Sequence, residues 1–474
     1  MARSAARSSA VRLGLPALAL GLVAALAAAP ANASLAPAPA DETGILMNYA
    51  INSDKGADAM AVVADLVDLY GGEVLTQYVK IGVTVAQSTR GQFANDLRGH
   101  GDVIDSVGAT RTSEVGSTLP PKPGFEDYLR APIDEEPRED EQWGNTVLES
   151  LEANEIEDGR RSVIVGVIDS GVNDLHEDLQ ANFNEEASVD CVTNEGGPPN
   201  TAPGAWRPTV STHGTHVAGT IAAARNGLGI AGIAPGVQVA SLRAMNDSGY
   251  LFPEYVMCAF MWAAKKDVDI TNNSYYMDPW YFWCKNDPDQ GAVQESLKRV
   301  IAYTHKRGII NVAAAGNEDY DLAHKTTDSL SPNDSEAIPN RPVNRNCLDI
   351  PTEIDGVVTT AAISQSLAKA SFSNFGLGKI DVAAPGVSIL STTWPGTSSY
   401  GFLSGTSMAS PHVAGVVALI DSVEPGLSVE QMLKRLYNTS VDRACPAGDP
   451  DCEGTPENNG YFGRGIVNAL NAVS

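Results

Sequence analysis

Residues 162–171 read Ser162-Val163-Ile164-Val165-Gly166-Val167-Ile168-Asp169-Ser170-Gly171. The first seven form a continuous apolar run rich in β-branched residues. A strand buried on both faces of a parallel sheet has this pattern; a strand with one wet face alternates instead. The run ends in a carboxylate followed by a glycine turn. Open α/β sheets place their sites at the carboxyl ends of central strands, although Asp169 alone also reads as a turn or capping aspartate. Ile309 to Ala315, Val357 to Ala362 and Ile380 to Ala384 repeat the buried-strand pattern. From residue 142 onward the expected fold class is therefore α/β, a mainly parallel sheet with helices on both faces.

Three further stretches bring chemistry to this frame. His213-Gly214-Thr215-His216-Val217-Ala218-Gly219-Thr220 suits a buried helix with His213 at its N-terminus. His213 and His216 also fit a metal site, but no third ligand follows at a matching spacing. His216 reads as a packed, hydrogen-bonded histidine. Ala315-Gly316-Asn317 closes a strand with an amide that can donate to an oxyanion; the plain alternative is a turn asparagine. Gly405-Thr406-Ser407-Met408-Ala409-Ser410-Pro411-His412 reads as a loop delivering Ser407 to the start of a core helix that continues through Val413 to Ile420. Pro411 is expected in the first helical turn, where its missing N–H costs nothing. A helix N-terminus favours developing negative charge. A nucleophilic serine also needs a base and an orienting acid, and His213 and Asp169 supply those residue types.

Taken together, Asp169-Ser170-Gly171, the His213 to Thr220 stretch, Ala315-Gly316-Asn317 and the Gly405 to His412 stretch resemble the signature motifs of subtilisin-like serine peptidases, the subtilases. The chain order Asp, His, Ser is that family's order. The resemblance spans residues 142–474 and implies Asp169, His213 and Ser407 as the triad, with the Asn317 amide and the Ser407 N–H holding the oxyanion. It implies substrate strands at Ser248-Gly249-Tyr250 and Ser274-Tyr275-Tyr276, with Ala315 and Gly316 lining the cleft. Tyr276 departs from the family pattern, standing where glycine is usual. The stretch Tyr275 to Trp283 is strongly aromatic, fitting either a packed insertion or a pocket rim. Alignment of Asp349-Ile350-Pro351 with the family's Gly-Tyr-Pro region implies an acidic pocket floor favouring Lys or Arg. No cofactor is implied for the chemistry. A structural calcium is implied at Gln142, Asp178 and Asn226, with carbonyls of Ala224, Leu228 and Ile230.

The remaining chain reads as export and maturation. Residues 1–33 have a signal peptide's form: Arg3, Arg7 and Arg12, then apolar Leu13 to Ala29, then Ala31-Asn32-Ala33. An uncleaved anchor is the alternative. Residues 34–117 are read as a small α+β propeptide domain, an intramolecular inhibitor and folding aid. Its strands are expected at Ile45 to Ile51, Val74 to Val85 and Val103 to Val107, and its helices at Ala57 to Leu69 and Arg90 to Arg98. Residues 118–141 carry prolines and acids and are expected to be an exposed linker cut on maturation. Residues 142–474 form the catalytic domain.

The chain of 474 residues carries a formal charge of −26, which disfavours nucleic-acid binding. No membrane contact is expected after signal cleavage, and the secreted product is expected to be a monomer acting on polypeptide substrates. Six cysteines allow disulfides outside the cell. Cys445 with Cys452 is the local pair, and Cys258 with Cys284 and Cys191 with Cys347 would complete the set. The expected activity is that of a secreted serine endopeptidase made as a zymogen. Rival readings are a processing peptidase for a leader or pro-peptide, an acid peptidase with a Glu-based triad, and a catalytically silent binding scaffold.

Overall fold

Along Asn48 to Asn52 the side chains alternate. Tyr49 and Ile51 enter one apolar cluster with Val63, Phe93 and Leu97, whereas Asn48, Ala50 and Asn52 turn the other way. That period of two makes this strand the spine of a four-stranded antiparallel sheet. The computed structural model describes residues 43–122 and 138–474. The signal-peptide expectation at 1–33 lies outside the described residues. The first unit comprises β1 (Thr43–Ser53), α1 (Ala57–Leu69), β2 (Gly72–Tyr78), β3 (Val83–Arg90), α2 (Phe93–Arg98) and β4 (Ile104–Ala109). Its sheet order is β2-β3-β1-β4. The single strand expected over Val74 to Val85 is instead a hairpin, β2 pairing antiparallel with β3 across a turn at 79–82. A continuous strand cannot hold the backbone bonds of Ile81 and Gly82 to Tyr78 O, both 3.0 Å.

The large unit contains β5 (Ile164–Asp169), β6 (Val189–Asp190), α3 (His213–Ala222), β7 (Gln238–Arg243), α4 (Pro253–Lys265), β8 (Ile270–Asn273), α5 (Pro288–Lys306), β9 (Ile310–Ala314), β10 (Val357–Ile363), β11 (Val382–Pro385) and α6 (Thr406–Val423). The seven strands form one sheet in the order β11-β10-β9-β8-β5-β7-β6. Every neighbouring pair in it is parallel. Both faces are covered. Val165 and Val167 of β5 pack with Val217 of α3 and Val413 of α6. Ile168 packs on the other side with Phe260 of α4 and Leu297 of α5. Burying such side chains contributes about 1.5–3 kcal/mol each, which is why the unbroken apolar run announces its position.

Three disulfides join Cys191 to Cys258, Cys284 to Cys347 and Cys445 to Cys452. Only the local pair matches expectation. Cys284 and Cys347 face each other across a short antiparallel strand pair, and Cys191, just after β6, lies over Cys258 on α4. Pro411 also departs from expectation. The helix already begins at Thr406, so Pro411 sits inside it rather than in its first turn. No described helix is long and apolar enough to cross a membrane.

At the described ends of the 118–141 stretch, Thr118, Pro120, Pro121, Asp140 and Glu141 are exposed, but two other side chains are anchored. Lys122 and Arg138 are both buried. Lys122 N donates to Ser248 O at 3.0 Å, and Arg138 N donates to Gly229 O. The outward face of the small sheet rests on α4 and α5. Asn48 Nδ2 donates to Glu254 Oε1 at 2.9 Å, Asn52 Nδ2 to Ala292 O at 2.9 Å, and Ser296 Oγ to Asn52 Oδ1 at 3.0 Å. Arg111 pairs with the fully buried Glu254 and lies 4.0 Å over the Phe252 ring.

Candidate active site

Asp169 ends β5, and His213 opens α3. Asp169 is 1% exposed, and His213 Nδ1 lies 2.9 Å from both of its carboxylate oxygens. Ser170 N donates to Asp169 Oδ1 at 2.6 Å, fixing the carboxylate from behind. Gly214 lets the two elements meet. A Cβ there would lie 2.4 Å from Gly171 O and 3.1 Å from the Asp169 side chain. The pair thus orients the imidazole through Nδ1.

His216, one turn on, has no comparable role. It is fully buried, Nε2 donates to Ile389 O at 2.9 Å, and burial holds it down to about 3. That is the packed histidine expected. No metal-holding cluster of His, Cys, Asp or Glu occurs among the described residues.

Ser407 is the second residue of α6. Its Oγ donates to Ser274 O at 3.1 Å, and Ser274 Oγ donates to Ser407 O at 2.8 Å. The second bond exists because of Pro411. A proline four residues on has no N–H to give the Ser407 carbonyl. Ser274 is held in turn by Asn272, whose Nδ2 donates to its Oγ at 2.8 Å and whose Oδ1 accepts from Ser410 Oγ at 2.7 Å. Motif reading missed Asn272, Thr406 and Ser410 as supports; a polar run at a strand's end beside the serine motif was the available signal.

Asn317 follows β9. Its Oδ1 accepts from Thr406 N at 2.8 Å and from Thr406 Oγ1 at 2.9 Å, while Gly316 N donates to Thr406 Oγ1 at 3.0 Å. With its oxygen committed, the amide turns Nδ2 outward beside Gly405 and the start of α6. Gly316 has φ +99°, and a Cβ there would lie 2.1 Å from Tyr281 Oη. Ala315 O accepts from Asn374 Nδ2 at 2.8 Å. An amide donor, the Ser407 N–H and a helix N-terminus therefore share one corner, an arrangement that can stabilise an oxyanion.

Of the two expected substrate segments, Ser274 to Tyr276 joins this corner through the Ser274–Ser407 bonds. In the other expected segment, Ser248 and Tyr250 bond residues 119–122. Tyr275 is buried and donates through Oη to Asn273 Oδ1 at 3.0 Å. The Tyr276 ring lies tilted against that of Tyr281, centroids 4.6 Å apart, and its Oη accepts from Asn333 Nδ2 at 3.1 Å. Asp349 is buried behind a cis Ile350–Pro351 bond. Burial, with the Glu353 and Glu318 carboxyls nearby, pushes it well above the usual carboxylate range. That favours the neutral acid and weakens it as an anionic floor.

At the implied calcium loop, Asp178 Oδ1 is buried with no hydrogen-bond partner among the described residues, while Oδ2 accepts from Ile230 N at 3.0 Å and Tyr400 Oη at 2.9 Å. Gln142 Oε1 accepts from Ala231 N at 3.0 Å and Asn226 Oδ1 from Leu228 N at 2.8 Å. Each amide oxygen keeps a second lone pair. The orphaned Asp178 oxygen and this neutral oxygen set fit a hard cation.

Comparison with known proteins bears on family and fold. A family model described as the subtilase family matches residues 160–465, leaving the small first unit outside the match. Subtilisin DY of Bacillus licheniformis is 31% identical over 307 residues, covering 65% of this chain and 89% of that protein. An extracellular protease of Xanthomonas campestris pv. campestris is 36% identical over 337 residues, 66% of this chain and 51% of that one. Among solved structures, the epidermin leader peptide processing serine protease of Staphylococcus aureus superposes with a TM-score of 0.67. It is 22% identical, over 91% of this chain and 98% of that chain, a likeness of fold.

Proposed function

The chain belongs to the subtilase family of serine endopeptidases, and from that premise we propose that Asp169, His213 and Ser407 form its catalytic triad. The observation that carries this reading is the buried Asp169 held 2.9 Å from His213 Nδ1, at the carboxyl end of an interior strand. In the reaction Ser407 Oγ turns from Ser274 O towards His213 and attacks the scissile carbonyl carbon. His213 Nε2 takes the hydroxyl proton, and Asp169 stabilises the imidazolium. The oxyanion is held by Asn317 Nδ2 and Ser407 N. Collapse breaks the C–N bond, and His213 protonates the leaving amine. Water then enters, gives a proton to His213 and attacks the acyl carbon; as the bond to Ser407 Oγ breaks, His213 returns that proton to Oγ and the acid product leaves.

The first unit is proposed as an inhibitory prosegment, making the precursor a zymogen. Supporting this, its sheet rests on α4 and α5 while its continuation at 119–122 follows the Ser248–Tyr250 segment. Export is proposed from the signal-like leader and the three disulfides. Calcium is proposed as a structural ion held by Asp178, Asn226 and Gln142 with the carbonyls of Ala224, Leu228 and Ile230; it supplies no step of the reaction.

A narrower reading, a processing peptidase, draws on Tyr276. A tyrosine packed against Tyr281 takes up room that a glycine would leave open. Cleavage of a specific precursor without cleavage of casein favours that reading. The central test is labelling of the exported protein with a fluorophosphonate beside Ser407→Ala. Ser407-dependent labelling is expected, and its absence from the mature form overturns the mechanism.

A further inference from the structure

Residues 119–122 lie against one wall of the cleft. Lys122 N donates to Ser248 O at 3.0 Å, Ser248 Oγ donates to Leu119 O at 3.3 Å, and Tyr250 Oη donates to Pro120 O at 3.2 Å. From this segment the Lys122 side chain enters a closed socket. Its Nζ lies 2.6 Å from Asp278 Oδ1 and 3.9 Å from the centroid of the Tyr276 ring. The two paired side chains are 5% and 0% exposed.

The socket is built without Lys122. Leu251 N donates to Asp278 Oδ2 at 2.6 Å, and Asn333 Nδ2 donates to Oδ1 at 2.6 Å. Asn333 also donates to Tyr276 Oη at 3.1 Å, locking the ring that faces the ammonium. All four residues belong to the large unit, whereas the cation arrives from the segment before it. Two neutral donors do not neutralise a buried carboxylate, and burial pushes Asp278 up while Lys122 opposes that shift. Removing one partner of such a pair leaves an uncompensated charge. The vacated socket therefore favours a compact cation that can also face a ring.

Its place relative to the chemistry follows from the chain. Ser274 is fastened to Ser407 by two reciprocal bonds, and Asp278 is reached along Ser274 to Asp278. Even fully extended, that span is about 13 Å, the length of about four extended substrate residues. We propose that Asp278 and Tyr276 form a specificity subsite for a lysine side chain of the polypeptide substrate, on the side of the scissile bond bound along Ser248–Tyr250, and that Lys122 fills it in the precursor. This rests on the peptidase reading above and names a residue class that it selects.

The test uses the full chain, produced and left to mature, with fluorogenic peptides. Lysine is moved through each of the four positions before the scissile bond and compared with norleucine and glutamate. At one position kcat/KM for lysine is expected to exceed that for norleucine by about tenfold or more, with glutamate lowest. In Asp278→Asn the lysine-to-norleucine ratio falls towards one. The wild-type series stands alone if that variant does not fold. A wild-type enzyme that labels at Ser407 but shows no lysine preference at any of the four positions overturns the subsite and spares the mechanism. Absence of labelling overturns the mechanism first, and the subsite with it. A preference that survives unchanged in Asp278→Asn also overturns the assignment.

Discussion

Ser407 and Ser274 exchange hydroxyls: each side-chain O–H donates to the other's carbonyl, at 3.1 Å and 2.8 Å. Ser407, the proposed nucleophile, and the proposed substrate strand are thereby held to each other by two bonds, the second made available by Pro411. Removing the Ser274 hydroxyl leaves the Ser407 carbonyl without a donor inside a buried helix start. Ser274→Ala is expected to cost about 1–3 kcal/mol of stability and to lower kcat, read by urea unfolding of the fluorophosphonate-inhibited protein and by peptide turnover. Unchanged stability and kcat would show that the contact is idle.

Asn317 offers a cleaner kinetic signature. Its carbonyl oxygen is tied to Thr406, which leaves the amide nitrogen as the donor proposed for the corner at Ser407. Asn317→Leu is expected to lower kcat by about 10²–10³ with KM nearly unchanged, since the interaction strengthens only as the oxyanion forms. Equal losses in KM would place Asn317 in ground-state binding instead.

The half-buried carboxyl of Asp269, just before β8, gives a pH dependence with a defined sign. Burial raises it from 3.8 to about 6, against the bond it accepts from Ile164 N; Asp421 and Asp267 add to the rise. Below about pH 4 both folded and unfolded states hold the proton. Above about pH 6 the folded state must bury the charge, so this group's penalty grows as pH rises between those values. Thermal melts should therefore show Asp269→Asn gaining on the wild type from pH 4 to pH 7. A constant difference across that range contradicts the account.

Calcium binding at the Asp178 loop predicts a stability that depends on the ion. At free calcium a hundredfold above its dissociation constant, the gain is about 2.7 kcal/mol. Chelator should lower Tm in the wild type and leave Tm of Asp178→Ala unmoved. The same chelator shift in both proteins would place the ion elsewhere.

The Cys284–Cys347 bond closes a loop across two short paired strands. Replacing both cysteines by serine is expected to cost about 2–4 kcal/mol. Chemical denaturation of the inhibited double variant measures it, and no loss would mean that the strand pairing holds without the bond.

The fold was legible because parallel strands buried on both faces write themselves as unbroken apolar runs, as at Ile164–Asp169. The candidate triad was legible because each member sits in a local motif of small residues. What failed was non-local. Cys284 meets Cys347 through strand pairing far along the chain, and nothing near either residue announces that. Pro411 was set in a first turn because the sequence does not reveal that Thr406 N has a partner in Asn317 and can start the helix early. Lys122 and Arg138 looked like solvated linker charges; each is buried by segments remote in sequence. Asp278 carries no motif, and its meaning depends on a lysine that precedes it by more than a hundred residues.

The small sheet meets α4 and α5 through Asn48, Asn52 and Arg111 rather than through grease alone. Water can take over each of those partners once the two surfaces part, as it cannot for a wholly apolar seam. A casting mould with a wettable parting line lifts away without sticking to its product. On the prosegment reading, the face left behind on Glu254 and Ser296 is one that water can cover, so maturation need not leave an adhesive scar.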